Sequence, residues 1–367
     1  MELTLITAYY DLTEYEDRPE GKDRNNYMKW AEFLFKLDSN IVFFVSEKDY
    51  DYIKKKREEN NKLEKTVIIK REYNELQFYN LREEIEEYLK ENPIRNSTIK
   101  DTKNYIPLTW TKIYLVEEII KKNPFKTEYF GWIDFGIHGV CHGDMKDIED
   151  YSKCLKLYNK IRIMELRHII ESEISDLKEY TSLFRWKIAG GLWTGHYIYL
   201  KKFIDYFKHY MYILLSNRIV SHEEGIFGII YYKHNEIFEP YYGNYWQILA
   251  NYDKLRILDD VILWNITHTR QNNLLKESYN IIERVYLDKL EDLNIIQLIK
   301  ILNEIIISGY YINKTDTTIY TKNIIKRIMT YSKEIISENI KSYKELILNN
   351  IKYYEYIDKD FLDILNI

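Results

Sequence analysis

The chain has 367 residues, 46% of them hydrophobic and 30% charged, with a net charge of −5. Its apolar content, with only 12 Gly and 5 Pro, excludes a disordered or collagen-like chain, and 2 Cys exclude a disulfide scaffold. The acidic balance argues against a protein that coats nucleic acid, and no segment reaches the ~20 apolar residues that span a bilayer.

In chain order, residues 3–10 read as a buried strand. The N-terminus lacks a basic segment before its short apolar run, so a first strand is expected rather than a signal peptide, and a cytoplasmic location follows as the default. Residues 25–38 carry Tyr27, Trp30, Ala31, Leu34 and Leu37 at helical spacing. The continuous apolar run 41–46 predicts a strand covered on both faces. A charged helix over 48–62, a strand over 66–70 and a helix over 74–91 follow. This alternation predicts an α/β domain with a largely parallel sheet. Residues 92–108 read as loop; 109–122 read as a helix capped by Thr109, with Lys121 and Lys122 at its C-terminal end. Strands are expected at 128–136, at 161–166 and at 184–195, the last interrupted by a bend at Gly190-Gly191. A long aromatic helix (196–217) and a second helix (221–232) complete a domain of residues 1–255. Residues 256–367 hold one Gly, no Pro and no Ala, and read as a helical domain. That tail is either a packed annex or a docking surface, which would make a homo-oligomer.

Scarce residue types mark the middle of the chain. Ten of the 12 glycines lie between Gly131 and Gly243, and seven of the eight histidines between His138 and His234. Glycine retained against such a bias points to close approach or positive φ. Asp134 ends an apolar strand whose other residues on that face are Phe130 and Trp132. A carboxylate in such company faces water, pairs with a cation, binds a metal, or bonds the next turn.

The blocks at 4–12 (TLITAYYDL), 123–137 (NPF…YFGWIDFGI) and 188–195 (IAGGLWTG) resemble the HtrL/YibB (WlaTC-like) family of bacterial proteins, regarded as glycosyltransferases. The resemblance covers roughly residues 1–250 and implies a GT-A-like, Rossmann-like nucleotide-sugar fold. It implies that Thr7, Ala8, Tyr9 and Asp11 hold the nucleotide of a sugar donor, here expected to be UDP-linked. Asp134, with Gly136 two residues on, would stand in place of the Asp-x-Asp element that carries Mn²⁺ or Mg²⁺ on the diphosphate. The second carboxylate is replaced, the element reading Asp134-Phe135-Gly136, so the metal rests on one ligand. Arg18 or Arg24 would take the part of an arginine that follows the first-strand Asp. Lys112 fits the resemblance too; with Arg185 and Lys187 it is a candidate cation for the diphosphate leaving group.

Other residues carry two readings each. Gly190 and Gly191 would let a sugar approach the backbone, with Trp193 as a stacking surface; the alternative is a β-bulge. Ser221 and Glu224 fit a capping box, whereas Glu223 or Glu224 would be the general base on a glycan or other hydroxyl acceptor. His222 is a candidate metal ligand or acceptor contact. His138, Cys141 and His142 sit in a Gly-rich stretch that reads as a loop beside the site in preference to a zinc centre. A glycosyltransferase is the leading expectation. A non-catalytic interaction protein is the second, and a hydrolase using Asp134, His138 and His142 the third.

Overall fold

The computed structural model describes residues 2–253 apart from 96–100, 142–154, 168, 170, 184 and 244. The expected helical domain (256–367) and its boundary lie outside the described residues, as do His142 and Cys154.

β1 (Leu3–Tyr9), β2 (Asn40–Val45) and β3 (Thr66–Lys70) fall where their apolar runs predict. Between them stand α1 (Arg24–Trp30), α2 (Glu32–Lys36) and α3 (Glu47–Glu59). The single helix expected over 25–38 is thus two, parted at Ala31. The helix expected over 74–91 is shorter: two 3-10 turns precede α4 (Arg82–Glu91).

Next comes α5 (Tyr105–Lys122), which starts four residues before the predicted cap. Pro107 sits in its first turn, where no helical N–H is lost. Thr102 supplies the hydroxyl that accepts from the Tyr105 N–H at 2.9 Å, and Thr109 is buried inside the helix instead of capping it. At the far end Asn123 turns left-handed (φ 40°) after the two lysines.

β4 (Tyr129–Ile133) is followed by β5 (Arg162–Glu165), the short helices α6 (Glu171–Ile174) and α7 (Leu177–Thr181), and β6 (Ile188–His196). α8 (Tyr197–Ser216), α9 (Glu223–Lys233) and β7 (Tyr241–Tyr242) complete the described elements.

The strands form one seven-stranded sheet in the order β3-β2-β1-β4-β6-β5-β7. β1 runs parallel to β2 and β4, and β2 parallel to β3. β6 is antiparallel to both its neighbours, β4 and β5. The sheet is therefore mixed, and the α/β class stands. Gly190-Gly191 does not interrupt β6. On the β4 side the pairing is regular, from Tyr129↔His196 to Ile133↔Leu192; on the β5 side the register jumps between Ile163↔Trp193 and Glu165↔Ile188. The bulge reading holds on one edge of a continuous strand.

Both faces of the sheet are covered. Ile6, Phe130 and Trp132 pack into one core with α5, α8 and α9; Leu5, Phe43 and Ile133 pack into another with α1, α2 and α3. Arg57 on α3 is fully buried and donates from Nη1 to the carbonyls of Leu34 (3.0 Å), Phe35 (3.2 Å) and Leu37 (2.8 Å), closing the C-terminal end of α2. Burial pushes that guanidinium down to about 10. No helix among the described residues is long and apolar enough to cross a membrane.

Candidate functional site

The chain lays down β1, β2 and β3 outward on one side, then returns to place β4 on the other side of β1. The strand order reverses between β1 and β4. In open α/β sheets such a reversal opens a crevice beyond the carboxyl ends of the two strands. A cleft lies there, lined by Ala8, Tyr9, Tyr10 and Asp11 after β1 and by Asp134, Phe135 and Gly136 after β4. Lys112 on α5 and His222, Glu223 and Glu224 at the start of α9 close its floor.

The charged centre is a lysine between two carboxylates. Lys112 Nζ lies 2.6 Å from Glu223 Oε1 and 2.9 Å from Asp134 Oδ1. The Trp132 indole N–H donates to the same Asp134 oxygen at 2.6 Å. Thr109 and Lys112 are three residues apart, one turn along the same face of α5, and both serve Glu223. A buried ammonium is tolerated only with such partners. Burial alone would lower the Lys112 pKa, but the Asp134 and Glu223 carboxylates outweigh it and hold it above the lysine range. For Glu223, burial would raise the pKa; Lys112 wins and holds it below the usual carboxylate range.

The two central glycines of β6 make room for these acids. A Cβ at Gly190 would stand 2.7 Å from Glu223 Oε1 and 3.0 Å from Glu224 Cγ. One at Gly191 would stand 3.3 Å from Asp134 Oδ2 and 3.1 Å from the Tyr245 hydroxyl. The backbone joins in: Asp134 N–H donates to Gly191 O at 2.8 Å, and Gly190 N–H donates to Glu224 Oε1 at 3.1 Å. Glu224 therefore does not close a capping box. The N-cap of α9 is His222, not Ser221, and the Glu224 carboxylate reaches across to β6.

With this geometry in view, a family model described as "Bacterial protein of unknown function (HtrL_YibB)" matches residues 1–254. The chain belongs to the HtrL/YibB family. Protein HtrL of Escherichia coli (strain K12) is 24% identical over 264 residues, covering 65% of this chain and 87% of that relative. Among solved structures, apo mouse xyloside xylosyltransferase 1 aligns with 65% of this chain and 84% of its own at 12% identity, with a TM-score of 0.34.

In this HtrL/YibB chain the predicted residues divide into those that meet and those that do not. Ala8, Tyr9, Asp11, Lys112, Asp134, Gly136, His222, Glu223 and Glu224 all line the cleft. Asp11 also caps the next turn, accepting from Thr13 N–H at 3.1 Å. Gly136 faces Tyr27, whose ring would lie 2.9 Å from an added Cβ. Gly190 and Gly191 do not line the cleft themselves and adjoin it through the acids. Thr7 is fully buried one pleat below Tyr9 and does not line the cleft. Trp193 is also fully buried, edge-on to Phe203 (5.5 Å) and Phe227 (6.0 Å), so its indole offers no stacking surface.

Of the two first-loop arginines, Arg18 lines the cleft, bound to Glu16 at 2.7 Å. Arg24 instead pairs with the buried Asp49 at 2.7 Å. Arg185 and Lys187 pair with Glu173, at 3.3 and 2.7 Å, outside this cleft. His222 bonds Asp101 through Nε2, which fixes the ring against Tyr105.

Further cleft residues include Thr109, expected only as a helix cap, and Lys22 and Tyr245, for which no role is expected. The helical spacing of Thr109 and Lys112 could have revealed the first. Lys22 lies 5.0 Å from the Trp30 ring centroid, and nothing in the pattern marks it. Tyr245 reaches the site from a 3-10 turn far along the chain; burial, then Glu224 and Asp134, drives its pKa well above the usual tyrosine value.

Among the described residues, no three His, Cys, Asp or Glu side chains gather to hold a metal. His138 stacks near Phe33 at 6.3 Å, and burial lowers its pKa. The zinc alternative also needs His142, which lies outside the described residues. Asp134 Oδ1 takes the bonds from Trp132 and Lys112 while Oδ2 lies on the Gly191 side, so Asp134 is the one carboxylate here that could join Mg²⁺ or Mn²⁺ held mainly by a ligand's phosphates and water.

Proposed function

We propose that this protein is a glycosyltransferase with a GT-A-like fold that moves a sugar from a nucleoside-diphosphate donor to a hydroxyl acceptor. The observation that carries the reading is the Lys112–Asp134–Glu223 cluster at the β1/β4 reversal, where a nucleotide is expected to bind. Tyr9, Asp11 and Arg18 form the nucleotide side, and Lys112 and Asp134 the diphosphate side. A divalent cation, when bound at Asp134, would supply further charge for the departing diphosphate.

Transfer needs a base for the acceptor hydroxyl and a cation for the leaving group. Glu223 is committed to Lys112 and buried, so it positions the ammonium. Glu224 lines the cleft and is steered by the Gly190 N–H, which makes it the base. His222, held by Asp101, is the acceptor contact beside it.

A thermal-shift series with UDP, GDP, CDP and ADP, each with and without Mn²⁺, tests the donor side. Stabilisation by one diphosphate nucleotide, lost in Asp134→Asn, is expected. No shift with any of them overturns the reading. The interaction-protein alternative draws on Gly136, which occupies the second carboxylate's place and faces the Tyr27 ring. Slow donor hydrolysis by the native chain, abolished in Glu224→Gln or Asp134→Asn, would exclude it.

A further inference from the structure

A second, smaller cavity lies on the other side of Glu224. It is walled by Arg185, Trp186 and Lys187 and shares His222 and Glu224 with the main cleft. Trp186 is unusual on two counts. Its backbone is left-handed (φ 49°), a conformation that bulky side chains rarely adopt. Its indole is 39% exposed, so the strain is not offset by burial. The ring stands edge-on to Tyr245 at 5.7 Å, and Tyr245 itself lines the cleft. Arg185 and Lys187, which flank Trp186 in the chain, also line this cavity, each held by an ion pair to Glu173. Strain held at an exposed aromatic next to a reactive carboxylate points to function rather than packing.

We propose that Trp186, with Arg185 and Lys187, is the acceptor subsite and takes a saccharide. The apolar face of a sugar ring would lie on the indole while its hydroxyls meet the charged groups, the usual division between aromatic and polar walls in a ligand site. A neighbouring hydroxyl would then be directed at Glu224. The assignment deepens the transferase reading and rests on it for the role of Glu224. It also places at Trp186 the stacking role that the buried Trp193 cannot serve.

The test is binding of the labelled full-length chain to a printed array of mono- to tetrasaccharides from bacterial surface polysaccharides. At least one saccharide should be retained, at least tenfold more weakly by Trp186→Ala, with Trp186→Tyr restoring most of the affinity. Should the alanine variant melt early, Trp186→Asn, which suits the left-handed backbone, serves in its place. Retention of no saccharide by the folded native chain, or affinity within twofold of native in the alanine or asparagine variant, overturns the proposal. Ring-dependent saccharide binding with no diphosphate nucleotide binding would uphold the subsite and sink the transferase reading alone.

Discussion

Replacing Lys112 with Met removes the ammonium and keeps most of the stem. It strands Glu223, whose side chain is 5% exposed and whose partner stood 2.6 Å away. Breaking a buried pair in this way costs about 3–5 kcal/mol. Asp134, 32% exposed, adds little because water takes the place of the ammonium. The pH dependence fixes the sign. In the native chain Glu223 has a pKa below 4.5, so its contribution is present above the unfolded value and lost as the pH falls through the folded one. Without Lys112, burial dominates and lifts the folded pKa above the unfolded one. The folded variant then holds the proton more tightly, so its penalty is small in acid and grows as the pH rises past 4.5. Lys112 itself has a folded pKa above 10.5; that stability is full below 10.5 and is lost only in alkali, as the pH rises through the folded value. Urea denaturation of the native chain, Lys112→Met, Glu223→Gln and the double variant, followed by tryptophan fluorescence at about pH 5 and about pH 8, measures this. The penalty should be at least about 1 kcal/mol larger at the higher pH, and the double variant should recover part of it. A penalty below about 1 kcal/mol throughout, or one that ignores pH, would refute the reasoning.

Gly190→Ala brings a Cβ to 2.7 Å from Glu223 Oε1, so the acids must shift; a loss of about 1–3 kcal/mol in urea stability and at least tenfold in donor turnover is expected. The Tyr9 hydroxyl is buried with no hydrogen-bond partner among the described residues, so Tyr9→Phe should leave the melting temperature level or raise it while weakening nucleotide affinity by calorimetry. Arg57→Met orphans three carbonyls at the end of α2 and should cost more than about 4 kcal/mol by urea denaturation, with no effect specific to nucleotide.

The sequence made the first half of the sheet legible because β1, β2 and β3 are short apolar runs between amphipathic or charged helices. Asp134 was legible for a related reason: a carboxylate closing an apolar strand has few places to go. Its partner was not. Lys112 and Glu223 are 111 residues apart and meet only because α9 packs beside α5, which no local pattern encodes. The direction of β6 was hidden as well, since an apolar run reads alike both ways. Gly190-Gly191 drew notice correctly but for the wrong neighbour: the space it leaves is filled by carboxylates of the same chain. Trp193 and Trp186 show the same limit. Seven residues apart and alike in type, one is sealed in the core and the other lies open at the cleft's edge.

The reversal of β6 has an evolutionary consequence. Because that strand runs against β4, its opening residues, not its closing ones, come to the reactive end of the sheet. The wall assigned to the donor is encoded before residue 137, and the wall assigned to the acceptor after residue 184. They meet along the backbone hydrogen bonds of β4 and β6, Ile133↔Leu192 at the reactive end, and across the Lys112–Glu223 pair. On the proposed assignments, a recombination crossover between those stretches would exchange the acceptor wall together with Glu223, so Lys112 and its carboxylate partner would have to stay matched across the join.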